Sequence, residues 1–268
     1  MTRTSTLIEV KAASYSYKNT KVLTDLNLTV EEGQFVSVIG SNGSGKSTLS
    51  KLLNAILVPS EGCVIVDGHN TSDSSCVYEI RKTVGLVLQN PDNQIVGDTV
   101  EDDIAFSLEN MGLLSSWMDQ IITDTLSKTG LSDLRFRNPR ELSGGQKQLL
   151  AIASVLAMKP KCIVLDESLS MLDSKGRSTV LALLHRLNKE TGLTVVLITQ
   201  DASEALEADV IYSLEEGRIK ALSPQDLPSP VVAELISKLR KMNVVVPKDV
   251  ITSDDLLNYL TRGEKRDA

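Results

Sequence analysis

Aromatic residues are scarce in this chain, at 3% of positions, so any one of them beside a motif stands out. Cysteine is scarcer still. Cys63, Cys76 and Cys162 are an odd, scattered set without metal-ligand spacing; this excludes a disulfide framework and fits reduced thiols acting as small buried hydrophobes. The two histidines, His69 and His185, lie in no motif and read as structural or surface residues. No run approaches the roughly 18 apolar residues of a bilayer-spanning helix, so direct membrane insertion is not expected. The first residues, MTRTSTLIEV, lack the apolar core of a secretory signal. A net positive balance is lacking too, because the formal net charge is −7. That balance argues against nucleic acid as a partner and makes a poor ligand for anionic lipid. Work at a membrane would require another protein to hold the chain there.

The 268 residues include 41% hydrophobic and 24% charged side chains, enough for one large domain with a smaller appendage. Apolar runs at 7–12, 34–40, 63–67, 84–88, 162–166 and 194–199 read as strands that alternate with helical patterns. Runs 210–214 and 218–221, split by Glu215-Glu216-Gly217, read as a hairpin. The alternation predicts an α/β fold with a mostly parallel core sheet. From about 94 to 158 the pattern is helical, which predicts an inserted helical subdomain. Thr99 opens one of its helices with a capping-box arrangement and an acidic first turn, and 116–128 reads as another. After Pro224, Pro228 and Pro230, residues Val231, Val232, Leu235, Ile236, Leu239 and Met242 fall on one helical face. Ser253 then caps a short helix with Leu256, Leu257 and Leu260. Residues 1–225 thus form the main domain. Residues 226–268 form a helical extension, either packed on that domain or serving dimerisation.

Gly40-Ser41-Asn42-Gly43-Ser44-Gly45-Lys46-Ser47-Thr48 matches the P-loop pattern in full, between an apolar strand and an expected helix at 47–57. The glycines let successive backbone N–H groups curl around phosphate oxygens, and the helix N-terminus faces the same charge. Lys46 is expected to reach the β- and γ-phosphates of ATP, and the Ser47 hydroxyl to ligate Mg²⁺. In Cys162-Ile163-Val164-Leu165-Asp166-Glu167, Asp166 emerges at the carboxyl end of a buried strand, where α/β sheets bind ligands. It is the candidate holder of Mg²⁺, and Glu167 the candidate general base for an attacking water.

Leu142-Ser143-Gly144-Gly145-Gln146, opening the helical stretch 146–158, resembles the signature motif of the ATP-binding-cassette (ABC) family. The resemblance covers about residues 7–221. It implies a P-loop NTPase fold with an N-terminal β subdomain, and two cassettes closing on two ATP molecules. Each signature run then faces the γ-phosphate held by the other cassette's P-loop. By the same resemblance Tyr17 looks like the aromatic that stacks on adenine; Tyr15 could be mistaken for it, and a packing role for either is the alternative. Gln89 looks like the Q-loop glutamine that senses Mg²⁺ and water. Ser170-Met171-Leu172-Asp173 looks like the D-loop, with Asp173 at the dimer interface. Asn90 to Phe106, which includes NPDNQIVGDTVEDDIAF, is similar to a segment of energy-coupling factor (ECF) transporter ATPases, most of all the first of their two paralogues. That implies a transport-coupled ATP hydrolase on the cytoplasmic face of the cell membrane. Its implied partners are a second ECF-type ATPase (as heterodimer, or homodimer), a transmembrane T subunit and a substrate-binding S subunit. The implied cargo is a vitamin or a transition-metal ion. The alternatives are an ATPase of another ABC importer, or a soluble ABC-type regulatory or repair ATPase.

One position departs from the pattern. The family usually places histidine after the last core strand, and here Gln200 stands there, before Asp201. A glutamine can donate its amide N–H to a γ-phosphate but cannot become cationic or shuttle a proton. Either it is tolerated, or this chain's own composite site, with Glu167 and Gln200 as catalytic residues, turns over slowly. Leu149, where the family often has arginine, is a lesser departure.

Overall fold

The computed structural model describes residues 5–227 continuously, and beyond them 232, 235, 236, 238, 239, 242, 244–247, 256, 257, 259 and 260. The strands are β1 (Thr6–Tyr17), β2 (Thr20–Glu31), β3 (Phe35–Ile39), β4 (Glu61–Val66), β5 (His69–Asn70), β6 (Val84–Val87), β7 (Cys162–Asp166), β8 (Thr194–Thr199), β9 (Val210–Glu215) and β10 (Arg218–Leu222). The α-helices are α1 (Lys46–Leu53), α2 (Val77–Thr83), α3 (Val100–Glu109), α4 (Ser115–Thr129), α5 (Gly144–Ala157), α6 (Ser174–Thr191) and α7 (Ala202–Ala205).

Two sheets divide the strands. One is antiparallel, in the order β2-β1-β4-β5. The other runs β10-β9-β3-β8-β7-β6 and is parallel except for the β9–β10 hairpin. Every residue of β7 and β8 is buried, because helices cover both faces of a parallel sheet. One apolar cluster joins Val36, Val38, Val164, Val196 and Ile198 to α1 and the antiparallel sheet. On the opposite face Phe35, Ile163, Leu165, Val195 and Leu197 pack on α5 and α6. A third cluster unites α3, α4 and α5. Helix α5 serves two of these cores, presenting Ala151, Ile152 and Val155 to the sheet and Leu150, Ala153 and Ala157 to the helices.

The sequence pattern missed β2 for a physical reason. Asp25 is left-handed (φ 51°), and a register break there carries the buried positions from Leu23 to Leu26, then Leu28 and Val30. An extra residue at a bulge reverses the in–out parity that an alternation search relies on. A similar break at Ala12 (φ 47°) hides the continuation of the expected 7–12 strand to Tyr17. The two-residue β5 was missed as well. The helix expected at 47–57 ends at Leu53, because Ala55 is left-handed (φ 52°) and Ile56 and Leu57 fold back onto the Lys51 carbonyl at 2.9 and 3.1 Å. In the helical region Thr99 caps α3 in a full capping box with Asp102. Of the extension, Val232, Ile236, Val246 and Leu256 are buried in a cluster of their own, with Leu239, Val244 and Tyr259 packed against it. Leu235 and Met242 are exposed, so the expected single face is split. Val231 and the Ser253 cap lie outside the described residues.

Candidate functional site

Strand register brings the site together. Ile39 pairs with Thr199, Asp166 with Ile198, and Val87 with Leu165. The carboxyl ends of β3, β8, β7 and β6 therefore finish level, the position where open α/β sheets bind ligands. From those ends project the 40–45 loop, Gln200, the Asp166–Glu167 pair and Gln89. Two further bonds extend the ladder past the strands, Gly40 N to Thr199 O at 3.2 Å and Glu167 N to Ile198 O at 2.9 Å.

The loop after β3 admits no larger first residue. A Cβ on Gly40 would stand 2.4 Å from the Leu214 carbonyl oxygen and 2.6 Å from Ser44 Oγ. Gly45 caps α1 in a left-handed conformation (φ 106°), which L side chains rarely adopt. Inside the loop the Ser44 hydroxyl is buried and has no partner among the described residues. A buried, unsatisfied hydroxyl inside a glycine-bounded loop suits an oxyanion that would complete its bonding.

Lys46 is 3% exposed and donates to the Gly40 and Ser41 carbonyls at 2.9 and 2.8 Å. Its ammonium also lies 2.9 Å from Glu167 Oε1, while Gln89 Nε2 donates to Glu167 Oε2 at 3.2 Å. Glu167 occupies a left-handed backbone conformation (φ 48°), a strain of order 1–3 kcal/mol that is characteristic of functional turns. Asp166 accepts from Ser47 Oγ at 3.1 Å and from Ser50 Oγ at 2.9 Å. Burial pushes the Asp166 carboxyl above its ordinary value, and the two serine hydroxyls oppose that shift. Ser50 was not legible as a site residue, though its i+3 spacing from Ser47 puts both on one face of α1. Thr48 is buried in the first turn of α1.

The remaining candidates stand apart. Tyr15 packs on the core, whereas Tyr17 is 44% exposed, its ring edge-on to Tyr15 at 4.9 Å. Leu142 is buried in the helical cluster. Ser143 caps α5 by accepting from Gln146 N, and Gln146 Oε1 accepts from Ser143 N, so both side chains are engaged on their own helix. The Gly144 and Gly145 amides are left at the helix N-terminus, with open space around Gly144. Among the described residues the signature run makes no hydrogen bond to the P-loop. Asp173 caps α6 by accepting from Gly176 N at 2.8 Å, and Met171 beside it is exposed. Gln200 is exposed after β8.

The family profile described as "ABC transporter" matches residues 23–170. Energy-coupling factor transporter ATP-binding protein EcfA1 of Clostridioides difficile (strain 630) is 42% identical over 271 residues, covering 95% of this chain and 98% of that protein. The chain belongs to the energy-coupling factor ATP-binding proteins of the ABC transporter family. Two solved structures place this cassette among known folds. One is cbiO1 from Clostridium perfringens, described as part of the ABC transporter complex cbiONQ. It has a TM-score of 0.78 and 31% identity, over 88% of this cassette and 97% of that chain. The other is the dimeric cassette MJ0796 in a post-hydrolysis state bound to ADP and Pi, with a TM-score of 0.73 and 30% identity over 81% of this cassette and 99% of that chain. Among the described residues no helix of the cassette is long and apolar enough to cross a membrane.

Proposed function

We propose that the cassette binds MgATP at 40–48 as half of a two-cassette sandwich and hydrolyses it to drive uptake through membrane T and S subunits. The observation that carries this reading is the convergence of Lys46, Ser47, Asp166, Glu167 and Gln89 beside the 40–45 amides. The 40–45 amides and Lys46 bind the phosphates, and Tyr17 lies against adenine. The donor set suits Mg²⁺. Ser47 and Asp166 offer hard oxygens, with Gln89 near, and no described cluster of three His, Cys, Asp or Glu could hold an ion without the phosphates. When bound, the ion neutralises phosphate charge. Glu167 accepts the proton of the attacking water once nucleotide has drawn Lys46 away from it. Gln200 donates its amide to the γ-phosphate. Residues 142–146 serve the partner cassette's ATP through the free α5 amides, and Asp173 lies at the interface between cassettes.

ATP affinity that differs between open and closed pairs drives the motion, which Gln89 and segment 90–106 pass to the T subunit. The second cassette is an ECF-type ATPase, the location is the cytoplasmic face of the cell membrane, and the cargo is a vitamin or transition-metal ion. Affinity capture of the tagged chain from gently solubilised membranes, with mass spectrometry, tests this. A second ABC ATPase and a small hydrophobic membrane protein are the expected companions. Soluble partners alone would shift the reading to a regulatory or repair ATPase.

A further inference from the structure

Helix α6 starts at the Asp173 cap, and one turn later Arg177 reaches back to the loop after β8. Arg177 Nη1 donates to Asp201 Oδ2 at 3.0 Å. Its Nε lies 3.0 Å from Glu204 Oε1, an ion-pair contact off the line of a straight hydrogen bond. Glu204 is 3% exposed, and its second oxygen accepts the Thr199 hydroxyl at 2.5 Å. The same hydroxyl accepts from Asp201 N at 3.0 Å. Asp201 also caps α7, accepting from Ser203 N and Oγ at 2.9 and 2.6 Å. Burial pushes the Glu204 carboxyl up, against the Thr199 hydrogen bond and the Arg177 charge.

Gln200 is therefore an exposed residue between two pinned neighbours. One guanidinium holds Asp201 directly and Thr199 through Glu204. The backbone of this turn is bonded to the P-loop through Gly40 N. The other end of the network is the first turn of α6, where Arg177 N bonds Asp173 O at 3.0 Å.

We propose that Arg177 is a positioning residue. It fixes the turn that presents the Gln200 amide to the γ-phosphate, and it ties that turn to segment 170–173. The proposal rests on the reading of Gln200 given above. Its signature is nucleotide discrimination, because only ATP carries the phosphate that Gln200 meets.

The test is the ratio of ATP to ADP affinity of the purified full chain without Mg²⁺, where turnover does not interfere. Arg177→Ala should lower that ratio about tenfold, the worth of one hydrogen bond to a charged group. ADP affinity should hold within about twofold. Arg177→Lys should fall between, since an ammonium cannot hold both carboxylates in the fork geometry. In a Gln200→Ala background, Arg177→Ala should change the ratio no further. An unchanged ratio in Gln200→Ala alone would remove the reading of Gln200, and this proposal with it. A normal ratio in Arg177→Ala while Gln200→Ala loses it, an equal loss for ATP and ADP, or a further loss in the double variant would each overturn the role of Arg177 alone. Circular dichroism checks folding. If Arg177→Ala does not fold, Asp201→Asn, which keeps the Oδ1 cap acceptor and removes the charge facing Arg177, carries the same expectations.

Discussion

Glu167→Gln should move stability and nucleotide affinity in opposite directions from a single cause. The Lys46 ammonium, 3% exposed, is 2.9 Å from Glu167 Oε1. Its other contacts are two backbone carbonyls without net charge. Glutamine keeps the shape and an acceptor oxygen but removes the countercharge, leaving Lys46 a buried, unneutralised cation. Removing one partner of a buried pair costs about 3–5 kcal/mol. The retained carbonyl contacts put this case at the low end, about 3 kcal/mol. At roughly 2–4 °C per kcal/mol for a domain of this size, Tm should fall by about 6–12 °C. An arriving phosphate replaces Glu167 as partner of Lys46 and must first separate the wild-type pair. In the variant that separation is not needed, and the phosphate no longer approaches a carboxylate. ADP affinity should therefore rise, by up to about 100-fold if the whole 3 kcal/mol is recovered. Scanning fluorimetry and calorimetric titration with ADP, which cannot turn over, read both numbers on one preparation. Unchanged Tm with unchanged affinity would refute the pairing as an energetic feature of the free chain. Lower Tm with lower affinity would instead make Glu167 one of the groups that hold nucleotide.

Gly40→Ala, whose Cβ would meet the Leu214 carbonyl at 2.4 Å, should cost about 1–3 kcal/mol and weaken ATP binding. Gly43→Ala, with nothing within 4 Å, should cost only the left-handed strain of about 1–2 kcal/mol, and a Gly40→Ala variant with unchanged Tm would count against the packing argument. Asp166 is a carboxyl raised by burial, so its ionised form burdens the folded state above that raised value, and the burden lifts as pH falls through it. Asp166→Asn should therefore raise the Tm of the nucleotide-free chain at pH 7, with no gain once pH drops below the unfolded value of 3.8, while ATPase activity is lost. Gln200→His should raise the ATPase rate of the assembled complex roughly 30-fold or more if the glutamine slows this site; no gain would dismiss the slow-site reading.

The P-loop and the Asp166–Glu167 pair were legible because each is written in consecutive residues on a strand end. The parallel sheet was legible for the same reason, in runs such as 162–166 and 194–199. What joins these pieces was not legible. The contact of Lys46 with Glu167 depends on the β3-β8-β7-β6 order and on a left-handed residue, neither of which leaves a local pattern. By resemblance the run 142–146 faces a partner's γ-phosphate, yet the Ser143 and Gln146 side chains close a capping box on their own helix, which those two residue types make possible. No local pattern marks Arg177, because the Asp201 carboxylate it holds lies 24 residues along the chain. Strand β2 escaped detection through the parity shift at Asp25.

Helix α5 has an apolar residue committed to each of two cores along most of its length. It is a party wall, shared by the helical lobe and by the sheet face that also rests on α6. The helical lobe therefore cannot be excised as a module, since cutting at either of its borders strips a neighbour. Divergence among relatives should be free in the turn at 110–114 between α3 and α4, where length can change without touching the sheet. Along α5 a substitution that shifts the helix in one core disturbs the other, so change there should come in compensated pairs or not at all.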